Sequence, residues 1–263
     1  MKNLVSLLLI LSLASCNKEE FNLSLTKELS INSTFAGANF IIKIGLPENY
    51  DPGSQKYSSI YVLDGEENFD YVAEKCKQIS GDLSKSNVLV ISIGYGNDRS
   101  QDYTPTVTNA GGGGAESFML FIKNELIPQI ESNFAADTSR KSRVILGHSF
   151  GGLLATYAFT NYNDLFGNYI ILSPSLWYDN EIMFRLEEDF RNNNKQNHQL
   201  VFMGLGQLEN QGRMLVPFQA FYQRFQNHYP DIMLKQNIVS HMDHSGSKKP
   251  NIKEGLTFYF LNK

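Results

Sequence analysis

Gly147-His148-Ser149-Phe150-Gly151 places a hydroxyl between two glycines. The apolar run at 144–146 precedes it, and a helix-period stretch begins at Gly152. A bare G-x-S-x-G is weak evidence. In a strand-to-helix turn it is the signature of a nucleophile elbow, which holds the serine in a strained backbone conformation. Glycines at 147, 151 and 152 remove side chains that would clash in such a turn. The helix that follows contributes free N–H groups and the positive end of its dipole. Ser149 is the expected nucleophile.

A serine hydroxyl is a weak nucleophile and needs a base, which in turn needs an orienting acid. On an elbow of this kind the chain order is serine, acid, histidine. The downstream histidines are His198, His228, His241 and His244. His198 precedes an expected strand, at the wrong end of a sheet, and His228 closes an expected helix. His241 and His244 follow the last expected strand, at 233–239, on a loop with Ser and Gly. His244 is favoured, with His241 as the competitor. For the acid, Glu209 follows the expected strand at 200–203, a usual position for it. Asp179, Asp231 and Asp243 compete. Asp243 adjoins His244 and is hard to turn onto its ring, Asp231 enters the last strand from the far end, and Asp179 suits a variant arrangement. Two backbone N–H groups should bind the oxyanion. Phe150 supplies one, and the region of Gly65 after the run at 60–63 the other, with Tyr95 as the competitor.

These residues need a scaffold. Short apolar runs at 60–63, 88–93, 144–146, 169–172 and 200–203 are rich in Val, Ile and Leu, as in parallel strands buried on both faces. Helix-period stretches at 69–79, 118–134, 153–159, 182–190 and 216–225 lie between them. The alternation predicts an α/β domain with a mostly parallel central sheet and helices on both faces. Near the N-terminus, Phe21, Leu23, Leu25, Leu29 and Ile31 have strand period, and a second strand is expected at 40–46, so an antiparallel pair should form one edge. The glycine run at 111–114 lacks the Lys and hydroxyl of a phosphate loop and reads as a flexible loop near the cleft.

The chain has 263 residues, 42% hydrophobic and 19% charged, which suits one large globular domain. A net charge of −4 without a long basic run disfavours nucleic-acid partners. Lys2, an apolar run at 4–13 and Leu13-Ala14-Ser15-Cys16 read as a lipoprotein signal over residues 1–15, with Cys16 lipidated. Asn17-Lys18-Glu19-Glu20 is similar to the Lys-plus-acid signal of surface-exported bacterial lipoproteins. Residues 16–34 would then be a tether with the first edge strand, and 35–263 the catalytic domain. The expected location is the bacterial cell envelope, at the outer membrane. Cys76 would be the remaining thiol, a small core residue rather than half of a disulfide.

As a set, Tyr61-Val62-Leu63-Asp64-Gly65, Ile93-Gly94-Tyr95, Arg99 with Asp102-Tyr103-Thr104-Pro105, the elbow, Ser173-Pro174-Ser175-Leu176-Trp177, Gly206 with Glu209, and His244 with Gly255-Leu256 resemble the putative-esterase family of α/β-hydrolases. The branch they most resemble is that of siderophore (enterobactin-type trilactone) esterases, from about Phe35 onward. The resemblance implies the α/β-hydrolase fold and a serine carboxylic-ester hydrolase acting through Ser149, Glu209 and His244 by an acyl-enzyme. It implies no metal and no cofactor, and a small-molecule ester as substrate. Arg99 matches a family arginine near the cleft. Trp177 is expected to stack on an aromatic or sugar group, with Tyr95 and His148 also at the substrate. A lipid anchor departs from cytoplasmic members and weighs against an iron-release role, because released iron would then be outside the cytoplasm. Related branches that remove acyl, acetyl or feruloyl groups from sugars give the alternative substrate class. A surface-tethered binding protein of the same fold is the alternative without turnover.

Overall fold

The structure, a computed structural model, describes residues 25–191 and 199–263. The signal segment, Cys16, Phe21, Leu23 and His198 lie outside the described residues.

The first half of the chain builds β1 (Thr26–Asn32), β2 (Asn39–Gly45), β3 (Ser59–Val62), α1 (Gly65–Asp82), β4 (Leu89–Ile93) and the short α2 (Arg99–Asp102). A small hairpin follows, β5 (Val107–Thr108) with β6 (Gly111–Gly112). Then come α3 (Ala115–Phe121) and α4 (Ile127–Asn133), joined by a wide π turn, Ile122–Leu126. The second half gives β7 (Arg143–His148), α5 (Phe150–Asn161), β8 (Asn168–Leu172), α6 (Tyr178–Arg191), β9 (Leu200–Gly206), α7 (Val216–His228), β10 (Met233–Val239) and α8 (Lys248–Asn262).

Among the described residues eight strands form one sheet in the order β1-β2-β4-β3-β7-β8-β9-β10. β1 and β2 are antiparallel, as is β2 with β4, and every other neighbouring pair is parallel. The expected architecture is therefore the observed one. The central strands are buried along their whole length because helices cover both faces. Period-two alternation sends Ile60, Val62, Val144, Leu146, Ile170 and Leu172 toward α1 and α8. Tyr61, Ile145, Tyr169 and Ile171 join the core on the face of α5.

The chain leaves β4 on one side of β3 and returns as β7 on the other, so the order reverses between β3 and β7. Ligands of open α/β sheets bind at the carboxyl ends of strands at such a switch point. The elbow lies there, at the end of β7.

Three elements differ from the sequence expectation. The helix expected at 118–134 is interrupted by the π turn, and Pro128 stands in the first turn of α4. The glycine run is packed rather than flexible: a Cβ on Gly112 would meet Gln101 Oε1, and one on Gly114 would lie 2.6 Å from the Gln101 carbonyl. The third difference is α8, which no apolar stripe announces. Its buried residues include Asn251 and Gly255 beside Ile252, Leu256 and Phe260. A Cβ on Gly255 would lie 2.6 Å from Ile170 Cγ2, so that glycine is what lets α8 approach the sheet.

Cys76 is a free, buried cysteine in α1, and burial pushes its thiol well up from the usual range. No helix among the described residues is long and apolar enough to cross a membrane.

Candidate active site

Ser149 joins β7 to α5 with φ 61° and ψ −118°, a conformation that non-glycine residues rarely adopt. Its surroundings impose it. A Cβ at 147 would lie 2.2 Å from the Gly151 carbonyl, and one at 152 would lie 2.6 Å from the Leu172 carbonyl. Ser149 N–H donates to Leu172 O at 3.0 Å, which ties the turn to β8. Phe150 begins α5, so its N–H belongs to the first turn, where helical N–H groups lack intrahelical partners.

Glu209 lies just beyond the carboxyl end of β9. Its Oε2 is 2.7 Å from His244 Nδ1. Its Oε1 accepts from Ser173 Oγ at 2.6 Å and from Gly206 N–H at 2.8 Å. Burial raises the Glu209 carboxyl, but the bonds from His244, Ser173 and Gly206 outweigh it and hold the group below the ordinary carboxylate range. A carboxylate only accepts, so Nδ1 of His244 is the donor in this bond and Nε2 is the ring nitrogen left outside it. The Glu209 side chain is 0% exposed and that of His244 is 40% exposed.

Close backbone approach makes this pair possible. A Cβ on Gly206 would lie 2.5 Å from Met242 O and 2.6 Å from Asp243 O. Leu208 N–H donates to Met242 O at 2.9 Å, fastening the loop of the histidine to that of the acid. The competitors make other contacts. His241 is exposed, and Asp243 accepts the Gly246 N–H within its own loop. Asp179 accepts from Thr106 Oγ1, and Asp231 is exposed beyond the end of α7.

A cleft of about 370 Å³ is lined by Ser149, Glu209 and His244 together with Ser175, Trp177, Leu208, Asn210, Arg213, Met214 and Asp243. Trp177 thus stands on the cleft wall, and Arg213 lies over its ring at 3.5 Å. Arg213 carried no signal in the sequence, because nothing in its neighbours places it opposite Trp177. A larger cavity of about 680 Å³ lies at the other end of the sheet, lined by Asn168, Leu200 and Met233 at the strand starts.

Arg99 and Tyr95 converge on Asp64. Arg99 grips this carboxylate through Nε to Oδ1 and Nη2 to Oδ2, both at 2.8 Å, and Tyr95 Oη donates to Oδ1 at 3.1 Å. Burial pushes the Asp64 carboxyl up, against the pull of Arg99. Asp64 is itself left-handed at φ 50°, and its N–H donates to Tyr103 Oη at 3.1 Å. The network sits between the two helix starts, since a Cβ on Gly151 would lie 3.1 Å from Asp64 Oδ2. Gly65 opens α1 beside it, where a Cβ would lie 2.1 Å from Ser92 Oγ. His148 was expected at the substrate. It is 8% exposed, with its ring against that of His244.

A sequence profile described as "Putative esterase" matches residues 33–236. The chain belongs to this family. It is 29% identical over 210 residues to "Ferri-bacillibactin esterase BesA" of Bacillus subtilis, covering 70% of this chain and 71% of that protein. It is 28% identical over 176 residues to "Siderophore triacetylfusarinine C esterase" of Aspergillus fumigatus, covering 62% of this chain and 60% of that one. The crystal structure of a BES protein from Bacillus cereus superposes with a TM-score of 0.81 at 28% identity, over 98% of this chain and 99% of that one. The esterase family and the α/β-hydrolase fold read from the sequence are thereby borne out, and the resemblance to siderophore esterases agrees with the names of these two relatives.

Proposed function

We propose that the chain is a serine carboxylic-ester hydrolase acting by a Ser149–His244–Glu209 relay through an acyl-enzyme. The observation that carries this is the convergence of three chain segments on one cleft, with His244 Nδ1 held 2.7 Å from a buried carboxylate. His244 takes the proton of Ser149 as the hydroxyl attacks the ester carbonyl. Glu209 stabilises the imidazolium that results. The N–H of Phe150 and one from the start of α1 near Gly65 receive the oxyanion, each contributing roughly 10²–10³ in rate. His244 then returns the proton to the leaving alcohol, and water repeats the sequence on the acyl-enzyme.

The substrate we propose is a siderophore ester. The names of the two relatives support it, and so does a cleft wall that pairs an indole face with a guanidinium. Hydrolysis of short-chain p-nitrophenyl esters by a form beginning after Cys16 tests the chemistry, with Ser149→Ala beside it. A panel of trilactones and acylated sugars tests the substrate class. Faster turnover of acetylated or feruloylated sugars transfers the proposal to carbohydrate esters. No turnover and no covalent labelling of folded protein points to the binding protein.

Anchoring through a lipid on Cys16 is proposed from the sequence. Thr26, where β1 begins, pairs with Gly45 at the end of the sheet opposite the elbow. Loss of the protein from the membrane fraction in Cys16→Ala is the expected result, and retention there overturns it.

A further inference from the structure

We propose that His148 is a positioning residue for the base: its ring N–H holds the backbone carbonyl of His244 and fixes the loop that carries it. This rests on the Ser–His–Glu reading of the site. His148 is the last residue of β7, immediately before the nucleophile. Its Nε2 lies 3.0 Å from the His244 carbonyl oxygen. A carbonyl only accepts, so Nε2 carries the hydrogen. The two rings lie 4.6 Å apart at 41°.

The loop needs such a hold. His241, Met242 and Asp243 are all exposed. The bonds from Leu208 N–H to Met242 O and from His241 N–H to Gln207 Oε1 fasten it to the loop of the acid. The His148 bond fastens it to the strand of the nucleophile. The base is thus referenced to both of its partners, and a 1 Å error in such a reference can cost roughly 10²-fold in rate.

The ring must also stay uncharged, because imidazolium forms beside it during catalysis. Burial, and next the positive charge of His244, push the His148 ring down to about 4. Lys248 acts in the same sense and Glu209 in the opposite one. Arg99 Nη2 faces the His148 backbone carbonyl at 3.4 Å. A solvated histidine would already be charged below about 6.5.

His148→Met removes the donor, and His148→Gln offers an amide N–H to the same carbonyl. Kinetics on a p-nitrophenyl ester should show kcat lowered roughly 10–100-fold in the Met variant. KM should stay within about threefold, and the Gln variant should recover most of kcat. Melting across pH gives a second readout. His148 is held below its unfolded value, so its stabilisation is present above about pH 6.5 and is lost as pH falls through about 4. Both variants should lose that acid-sensitive component. Unchanged kcat in a folded Met variant, or a Gln variant as slow as Met, overturns the proposal. If the Met variant does not fold, Gln against the shorter His148→Asn decides: equal rates overturn the hold. Ser149→Ala keeps the two questions apart. Activity surviving in it sinks the esterase mechanism, whereas a dead Ser149→Ala beside an unaffected His148→Met sinks only this inference.

Discussion

Two buried carboxylates stand at the carboxyl end of the sheet, each facing a nitrogen base. Asp64 follows β3 and is closed by Arg99 in a two-bond fork; Glu209 lies beyond β9 and touches His244 through one nitrogen. Their side chains are 5% and 0% exposed. The difference is in the partner. A guanidinium is always protonated and both of its engaged N–H groups are occupied, so Arg99 cannot take a proton from a reacting group as a base would. Imidazole keeps a second nitrogen outside the bond to its carboxylate. Geometry that looks alike therefore yields a latch between two helix starts in one place and, in the proposed mechanism, a proton relay in the other.

Substitution separates the two. Glu209→Gln keeps the shape and removes the charge that stabilises imidazolium, and kcat should fall roughly 10³–10⁴-fold while the protein stays folded. A drop below tenfold breaks the comparison. Gly206→Ala attacks the same pair through the backbone, because the new Cβ meets Met242 O and Asp243 O and pushes the histidine loop away. A loss of roughly 10²-fold in kcat is expected, with the Arg99–Asp64 fork undisturbed. Gly212→Ala, with nothing within 4 Å of its Cβ, is the control. Asp64→Asn should be read in stability instead. It leaves an Arg99 that is 33% exposed without its counter-charge, which should cost about 2–3 kcal/mol in denaturant unfolding. Its kcat should fall by no more than about tenfold, because the isosteric amide leaves the N–H groups at the two helix starts in place. A larger kcat effect would make Asp64 part of the chemistry.

The acid side of stability tests Glu209 again. Its folded carboxyl is held below the ordinary range of about 4.3 by His244, Ser173 and Gly206. It contributes stability that is present above that range and lost as pH falls through the lowered folded value. Ser173→Ala should shrink this contribution, as followed by melting between about pH 5 and 3. The smallest effect is expected at the cleft wall. Arg213→Ala removes the cation over Trp177 and should change KM severalfold for anionic or aryl esters, with kcat for acetate esters nearly unchanged.

The legible parts of the site are those in which local sequence and local structure say the same thing. Gly147, Gly151 and Gly152 around Ser149 announce a turn that only glycine permits, and the apolar run ahead of it announces the strand. Glu209 could be chosen because it follows a buried strand in the required chain order. What stayed hidden depends on contacts between distant segments. Ser173, itself left-handed at φ 40°, meets Glu209 across 36 positions. His148 meets the His244 carbonyl across 96. α8 shows no apolar stripe in the sequence because Asn251 and Gly255 sit on its buried face, and the glycine run reads as flexible because the residues packed against it, Thr104 and Gln101, lie in another segment.

Intact-mass analysis after treatment with a fluorophosphonate, with the adduct located by peptide sequencing, tests the central claim most directly. One adduct per chain is expected, on Ser149, absent in Ser149→Ala and formed far more slowly in His244→Ala and Glu209→Gln, but at nearly the native rate in Asp64→Asn. Folded protein that takes no label, or takes it on another residue, would contradict the account.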